Sequence, residues 1–151
     1  MINIRLATQD DVKAIVRHGR AFWSAIPYCD VPYCPDSVAL TCGHMIAQGL
    51  LVYAEVDGEC AGFIGALRSP LFLNREYHVA AELWFWVEPQ HRKTGIGRMM
   101  LNQMESAAKT AGIYRLSMMA IEGMQLDRVA AMYEADGYEP AERTWSKRLW
   151  P

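Results

Sequence analysis

The chain has 151 residues, 52% of them hydrophobic and 21% charged. That balance excludes a disordered or collagen-like polymer and suits a single globular domain over residues 1–151. Lys plus Arg number 15 and Asp plus Glu 17, a formal charge of −2, where a nucleic-acid binder would be strongly basic. Along the chain, Ile2, Ile4 and Leu6 alternate as a first strand. Thr8, with Asp11 three residues on, predicts a capped helix start. Val12, Ile15, Val16, Gly19, Phe22, Trp23 and Ile26 then keep helical spacing until Pro27. Residues 27–35 read as an irregular link, and a second helix is expected from Asp36 to Gln48. Leu50–Val56 and Cys60–Leu67 predict a hairpin across the Asp57-Gly58 turn signal. Ser69–His78 reads as a loop.

Ala81–Val87 is apolar on both faces and predicts a central strand, with Glu82 on the side of Trp84 and Trp86. A helix over 96–111 follows, with Met100, Leu101, Met104, Ala107, Ala108 and Ala111 as its apolar stripe. Tyr114–Ala120 predicts a strand, Leu126–Asp136 a short helix, and Thr144–Trp150 a last, partly basic strand. The predicted order β-α-α-β-β-β-α-β-α-β is α+β, a mixed sheet with helices on both faces.

No run approaches the roughly 18 apolar residues of a membrane span, so no membrane contact is expected. The N-terminus alternates as a strand does and lacks the apolar core of a signal peptide. Cys29, Cys34, Cys42 and Cys60 form no CxxC pair, which reads as a cytoplasmic chain with reduced thiols. The spacing of Cys29, Cys34 and His44 matches no structural zinc pattern, so no metal is expected.

The segment richest in chemistry is Val87-Glu88-Pro89-Gln90-His91-Arg92-Lys93-Thr94-Gly95-Ile96-Gly97-Arg98. It joins a buried strand to an amphipathic helix. The first turn of a helix leaves its N–H groups without partners, and the helix dipole adds positive charge there. Glycines let a phosphate approach the backbone closely. Arg92, Lys93 and Arg98 add full charges. A Walker loop would need Gly-Lys-Ser/Thr, and Lys93-Thr94-Gly95 runs the other way. A dinucleotide fingerprint would need a third glycine where Met100 stands.

Arg92-x-x-Gly95-x-Gly97 after an apolar strand resembles motif A of the GNAT superfamily, the acetyl-CoA-dependent N-acetyltransferases. Tyr133-Glu134-Ala135-Asp136-Gly137-Tyr138 resembles that family's later Tyr-x-x-x-Gly-Phe/Tyr helix end. The order of elements is similar over nearly all of residues 2–150, with sharp motifs in 82–101 and 129–138. The family often carries an asparagine seven residues before the tyrosine, and Leu126 stands there.

The resemblance implies a mostly antiparallel mixed sheet of six to seven strands flanked by about four helices. It implies acetyl-CoA in a V-shaped opening between the strand ending at Val87 and the strand starting near Tyr114. Backbone N–H groups from Lys93 through Thr94, Gly95, Ile96 and Gly97 to Arg98 would hold the diphosphate, with Arg92 beside them. Backbone groups of Phe85, Trp86 and Val87 would pair with the pantetheine arm, and one could polarise the thioester carbonyl. The reaction implied is direct attack by a primary amine of a small molecule or peptide in a ternary complex.

Such chemistry needs a base and an acid. Glu82, beside aromatic bulk, should titrate high and suits the base, directly or through water; the competing reading is a strand-edge charge. Tyr133 suits the acid, although the stripe Leu126, Val129, Ala130 and Tyr133 would also place a packed tyrosine there. His78 and His91 are weaker candidates. Trp23, Tyr28 and Tyr33, with Asp30 and Asp36 among them, form a candidate rim for the acceptor. The alternative function is a CoA-binding module without transfer. An edge strand at 144–150 would offer a homodimer contact.

Overall fold

A computed structural model describes residues 1–27 and 29–150. Strand β1 (Ile2–Leu6) leads through a 3-10 turn (Gln9–Asp11) into α1 (Val12–Ala25). Asp11 forms the expected cap: the Thr8 amide donates to Asp11 Oδ2 at 2.7 Å. The Arg5 guanidinium also donates to both Asp11 oxygens, at 2.7 and 2.9 Å, tying β1 to the start of α1. Helix α2 (Pro35–Ala47) follows, then β2 (Leu51–Val56), β3 (Glu59–Leu71) and β4 (Asn74–Val87). A second 3-10 turn (Pro89–His91) precedes α3 (Ile96–Thr110), β5 (Ile113–Ser117) and α4 (Leu126–Ala135).

The five strands lie in chain order across one sheet. β1 to β4 are antiparallel, and β5 runs parallel to β4. Two cores form because the sheet is covered on both faces. On one face, Val52, Ala54, Ile64 and Ala66 meet Met100, Leu101 and Met104 of α3. On the other, Tyr53, Phe63 and Trp86 meet Ile15 and Phe22 of α1 and Cys42 and Met45 of α2. The mixed α+β architecture and the four helices are as expected.

Three expectations need correction. The sheet has five strands among the described residues, fewer than the six to seven implied. The missing one is Thr144–Trp150, which carries no regular structure; Trp145, Leu149 and Trp150 are 84%, 83% and 85% exposed. Alternation alone does not make a strand. The segment needs a partner edge to pair with, and its two charges (Lys147, Arg148), with Glu142 and Arg143 just before it, favour water. The pairing edge expected there for a second copy is therefore not formed.

The loop expected over Ser69–His78 is instead hairpin: β3 and β4 stay paired from Leu67↔Ala81 to Leu71↔Asn74. Backbone pairing extends an exposed ribbon without burying a face, and Ser69, Pro70 and Asn74 gave the segment the look of a loop.

The third correction concerns Glu82. Gly65 pairs with Trp84 but Ala66 pairs with Glu82, leaving Leu83 as a bulge. A bulge shifts the alternation by one residue. Trp84 and Trp86 face α1 and α2. Glu82, opposite Ala66, instead joins the face of Ala80, Phe85 and Tyr133.

Candidate active site

The ladder between β4 and β5 ends at Ala81↔Ser117. From Glu82 to Val87 the two strands part, and the sheet splits. The split opens into a cavity of about 800 Å³. Its walls come from both faces of the sheet: Phe22 and Ala25 of α1 on one, α4 and the start of α3 on the other. The space therefore passes through the sheet at the split.

At one end lies the loop before α3. Lys93 (φ 67°) and Gly95 (φ 92°) both adopt left-handed backbone. Thr94 Oγ1 donates to the His91 carbonyl at 2.6 Å and closes the turn. Among the described residues, the amides of 93–98 have no backbone acceptor, since the first helical bond runs from Met99 N to Gly95 O at 3.1 Å. Alternating left- and right-handed residues at a helix N-terminus aim such amides into one concavity, which binds anions.

The two glycines differ in kind. Gly95 needs its freedom because of its φ. Gly97 does not: its backbone is ordinary, and a Cβ would sit 3.6 Å from Val87 and 3.7 Å from Phe85, in ordinary contact. Nothing in the protein demands glycine there. The cradle it leaves open lines the cavity. These residues fit a diphosphate group.

Two of the cations are already engaged. Arg92 Nε donates to the Val87 carbonyl at 3.0 Å, and its guanidinium lies 4.7 Å over the Trp86 ring. Arg98 forms a fork with Asp136, the closest contact being 2.7 Å from Nη2 to Oδ1. That pair ties the start of α3 to the end of α4. Lys93 and His91 also line the cavity.

At the split stands Glu82, 4% exposed. The Met119 amide donates to its Oε2 at 3.0 Å, and the Met119 carbonyl accepts from the Tyr133 hydroxyl at 3.2 Å. One peptide group on each side of Met119 thus links the two side chains. Burial pushes the Glu82 carboxyl up to about 7, with the Met119 amide opposing part of that rise. Burial, and then the nearby Glu82 charge, hold the Tyr133 phenol well above its usual value, so it keeps its proton.

The structure brings Glu82, Phe85, Trp86, Val87, Arg92, Lys93, Gly95, Gly97, Arg98 and Tyr133 to the cavity. It does not bring Trp23 and Tyr33 there. Trp23 Nε1 donates to the Val31 carbonyl at 3.0 Å, and the Tyr33 hydroxyl donates to the Val16 carbonyl at 2.6 Å. These contacts pin the link to α1. Tyr28 lies outside the described residues. Asp30 pairs with Arg148 at 2.7 Å.

Sequence reasoning missed Met119, because it acts through its main chain, which carries no residue-type signal. It also missed Phe22, which was read only as part of a helix stripe, and Ala25, which was not singled out. Asp136 was legible as part of a motif but not as the partner of Arg98. Glu88, 8% exposed, went unnoticed as well: its Oε1 lies 2.9 Å from the donating Trp86 Nε1 and 2.7 Å from His18 Nδ1.

A split sheet with an anion cradle at a helix start suits a ligand that carries a phosphate group. The comparisons agree with the architecture. A family model described as the acetyltransferase (GNAT) family matches residues 20–138. The chain belongs to that family, and by class it is an acyltransferase. Among solved structures, an acetyltransferase from Trypanosoma brucei is 16% identical, with a TM-score of 0.75 over 99% of this chain and 100% of that one. A predicted acetyltransferase from Clostridium acetobutylicum with acetyl-CoA is 19% identical, with a TM-score of 0.71 over 99% and 97%. An aminoglycoside N-acetyltransferase in complex with CoA is 16% identical, with a TM-score of 0.74 over 98% and 94%. Among the described residues, no helix is long and apolar enough to cross a membrane. Nor does any group of three His, Cys, Asp or Glu side chains among them suit a metal ion.

Proposed function

We propose that the protein transfers the acetyl group of acetyl-CoA to a primary amine of a small molecule or peptide, by direct attack in a ternary complex. The observation that carries this reading is one cavity joining the unpaired amides of 93–98 to the Glu82–Met119–Tyr133 chain. The Clostridium structure with acetyl-CoA shares this fold and supports the choice of acyl donor.

In this reading the amides from Lys93 to Arg98 hold the diphosphate. The backbone of Phe85 to Val87, without a strand partner on its β5 side, pairs with the pantetheine arm. Bound acetyl-CoA supplies an activated acyl carbon and a thiolate leaving group.

Glu82, as carboxylate, takes one proton from the acceptor ammonium and frees the amine lone pair. A carboxyl titrating near 7 is half ionised at neutral pH, which suits a base working there. Tyr133 holds a proton on its phenol oxygen for the departing sulfur. The new carbon–nitrogen bond replaces the carbon–sulfur bond. The amine nitrogen loses a second proton as the sulfur gains one, so the sum releases one proton to solvent.

Calorimetry with acetyl-CoA and amine-dependent thiol release test this together. Tight binding with amine-dependent release is expected. Tight binding with silence across amines and peptides would leave a CoA-binding module instead.

A further inference from the structure

We infer that the acceptor is a monoamine on an apolar body, of the arylalkylamine or alkylamine class, and not a polycation. The inference rests on the acetyl-transfer reading above and narrows its acceptor. Once the cradle and the Phe85–Val87 edge are assigned to the acyl donor, the rest of the cavity opens on the α1 face of the sheet. Its walls there are Phe22 and Ala25 from α1, with Met119, Ile121 and Met124 after β5. None of these side chains carries a charge. The loop is closed against the end of α1, because a Cβ on Gly123 would lie 3.0 Å from Pro27.

Glu82 is the one carboxylate among the cavity's described lining residues. In the proposed reaction it serves the reacting nitrogen. Of the neighbouring carboxylates, Asp136 is committed to Arg98 and Glu88 to Trp86 and His18, while Glu122 on the loop is exposed and is not part of the cavity lining. A second ammonium on the acceptor would therefore enter among thioethers and rings without a counter-charge. Removing such a charge from water unpaired is strongly unfavourable. An aromatic or aliphatic body meets the opposite situation. Thioethers adapt their shape around it and contact ring edges favourably. Phe22 is itself held edge-on against Trp86, with ring centroids 6.1 Å apart, so this wall is fixed in place.

The test compares amines at equal concentration by thiol release from acetyl-CoA, using 2-phenylethylamine and hexylamine against spermidine and neamine. We expect the monoamines to exceed the polycations in kcat/KM by at least about tenfold. In the Ile121→Glu variant, a carboxylate added to a loop wall should move that ratio toward spermidine by about tenfold while acetyl-CoA still binds by calorimetry. Faster turnover of the polycations by the unaltered protein would overturn the inference and leave acetyl transfer standing. Silence with all four amines, with acetyl-CoA bound, would overturn this inference, and silence extended to further amines and peptides would overturn the transfer reading with it.

Discussion

The loop over residues 88–95 and the link over residues 26–34 invite comparison. Both are irregular, both hold proline, and both attracted functional assignments. Around the link, two aromatic polar groups among the described residues find partners inside the protein: Trp23 of α1 donates to Val31, and Tyr33 to Val16. In the loop, two left-handed residues turn a run of amides toward a cavity and leave them without backbone acceptors. Unsatisfied donors at a concave surface mark where a ligand contributes the missing bonds. Satisfied ones mark packing, however suggestive the residue types.

That contrast predicts unequal costs. The largest belongs to Glu82, which lies outside both loops at the split. Glu82→Gln keeps an acceptor for the Met119 amide but cannot take a proton, so kcat should fall by about 10²–10⁴-fold. In the unaltered protein, kcat should rise with pH through about 7 as Glu82 ionises, and the variant should lose that rise. Stability should move the other way. The folded protein holds a proton here that the unfolded chain releases near 4.5, so stability falls as pH rises from 4.5 towards 7. Above that window the variant should be more stable, by on the order of 2 kcal/mol, in a denaturant titration. A flat difference across pH would show that Glu82 is not a buried proton-binding group.

Next comes the cradle. Gly97→Leu should abolish acetyl-CoA binding in calorimetry, because its side chain would extend into the space beside the amides. Gly97→Ala should fold with an unchanged Tm, since its Cβ meets only ordinary contacts. Unchanged affinity in Gly97→Leu would remove the cradle from the account.

Tyr133→Phe is expected to bind acetyl-CoA normally and to slow turnover by about 10²-fold, as loss of a general acid does. An unaltered rate with a good amine would reduce Tyr133 to packing. The smallest effect belongs to the link. Tyr33→Phe loses the bond to Val16 and should cost about 1 kcal/mol of stability. Its kcat and KM should stay as they were, and a raised KM for the amine would return the link to the acceptor site.

The helices and most strands were legible because burying one face imposes a period, and Ile15, Phe22, Met100 and Met104 obey it. The cradle was legible because glycine placement and helix termini are local chemistry. The side on which Glu82 points was not, because the bulge at Leu83 is settled by how β3 and β4 align, and a shift of one residue reverses every face. The 144–150 segment misled for a related reason: its alternation is local, but a strand exists only where an edge receives it.

Residue order alone therefore determined the kinds of element, the anion cradle and the family resemblance, since each depends on neighbours a few positions apart. Tertiary structure decided what lies far apart in the chain. It joined Glu82 to Tyr133 through the Met119 main chain, committed Arg98 to Asp136, and turned Phe22 into a cavity wall. Those contacts depend on the parting of β4 from β5, which is a property of the assembled sheet rather than of either strand.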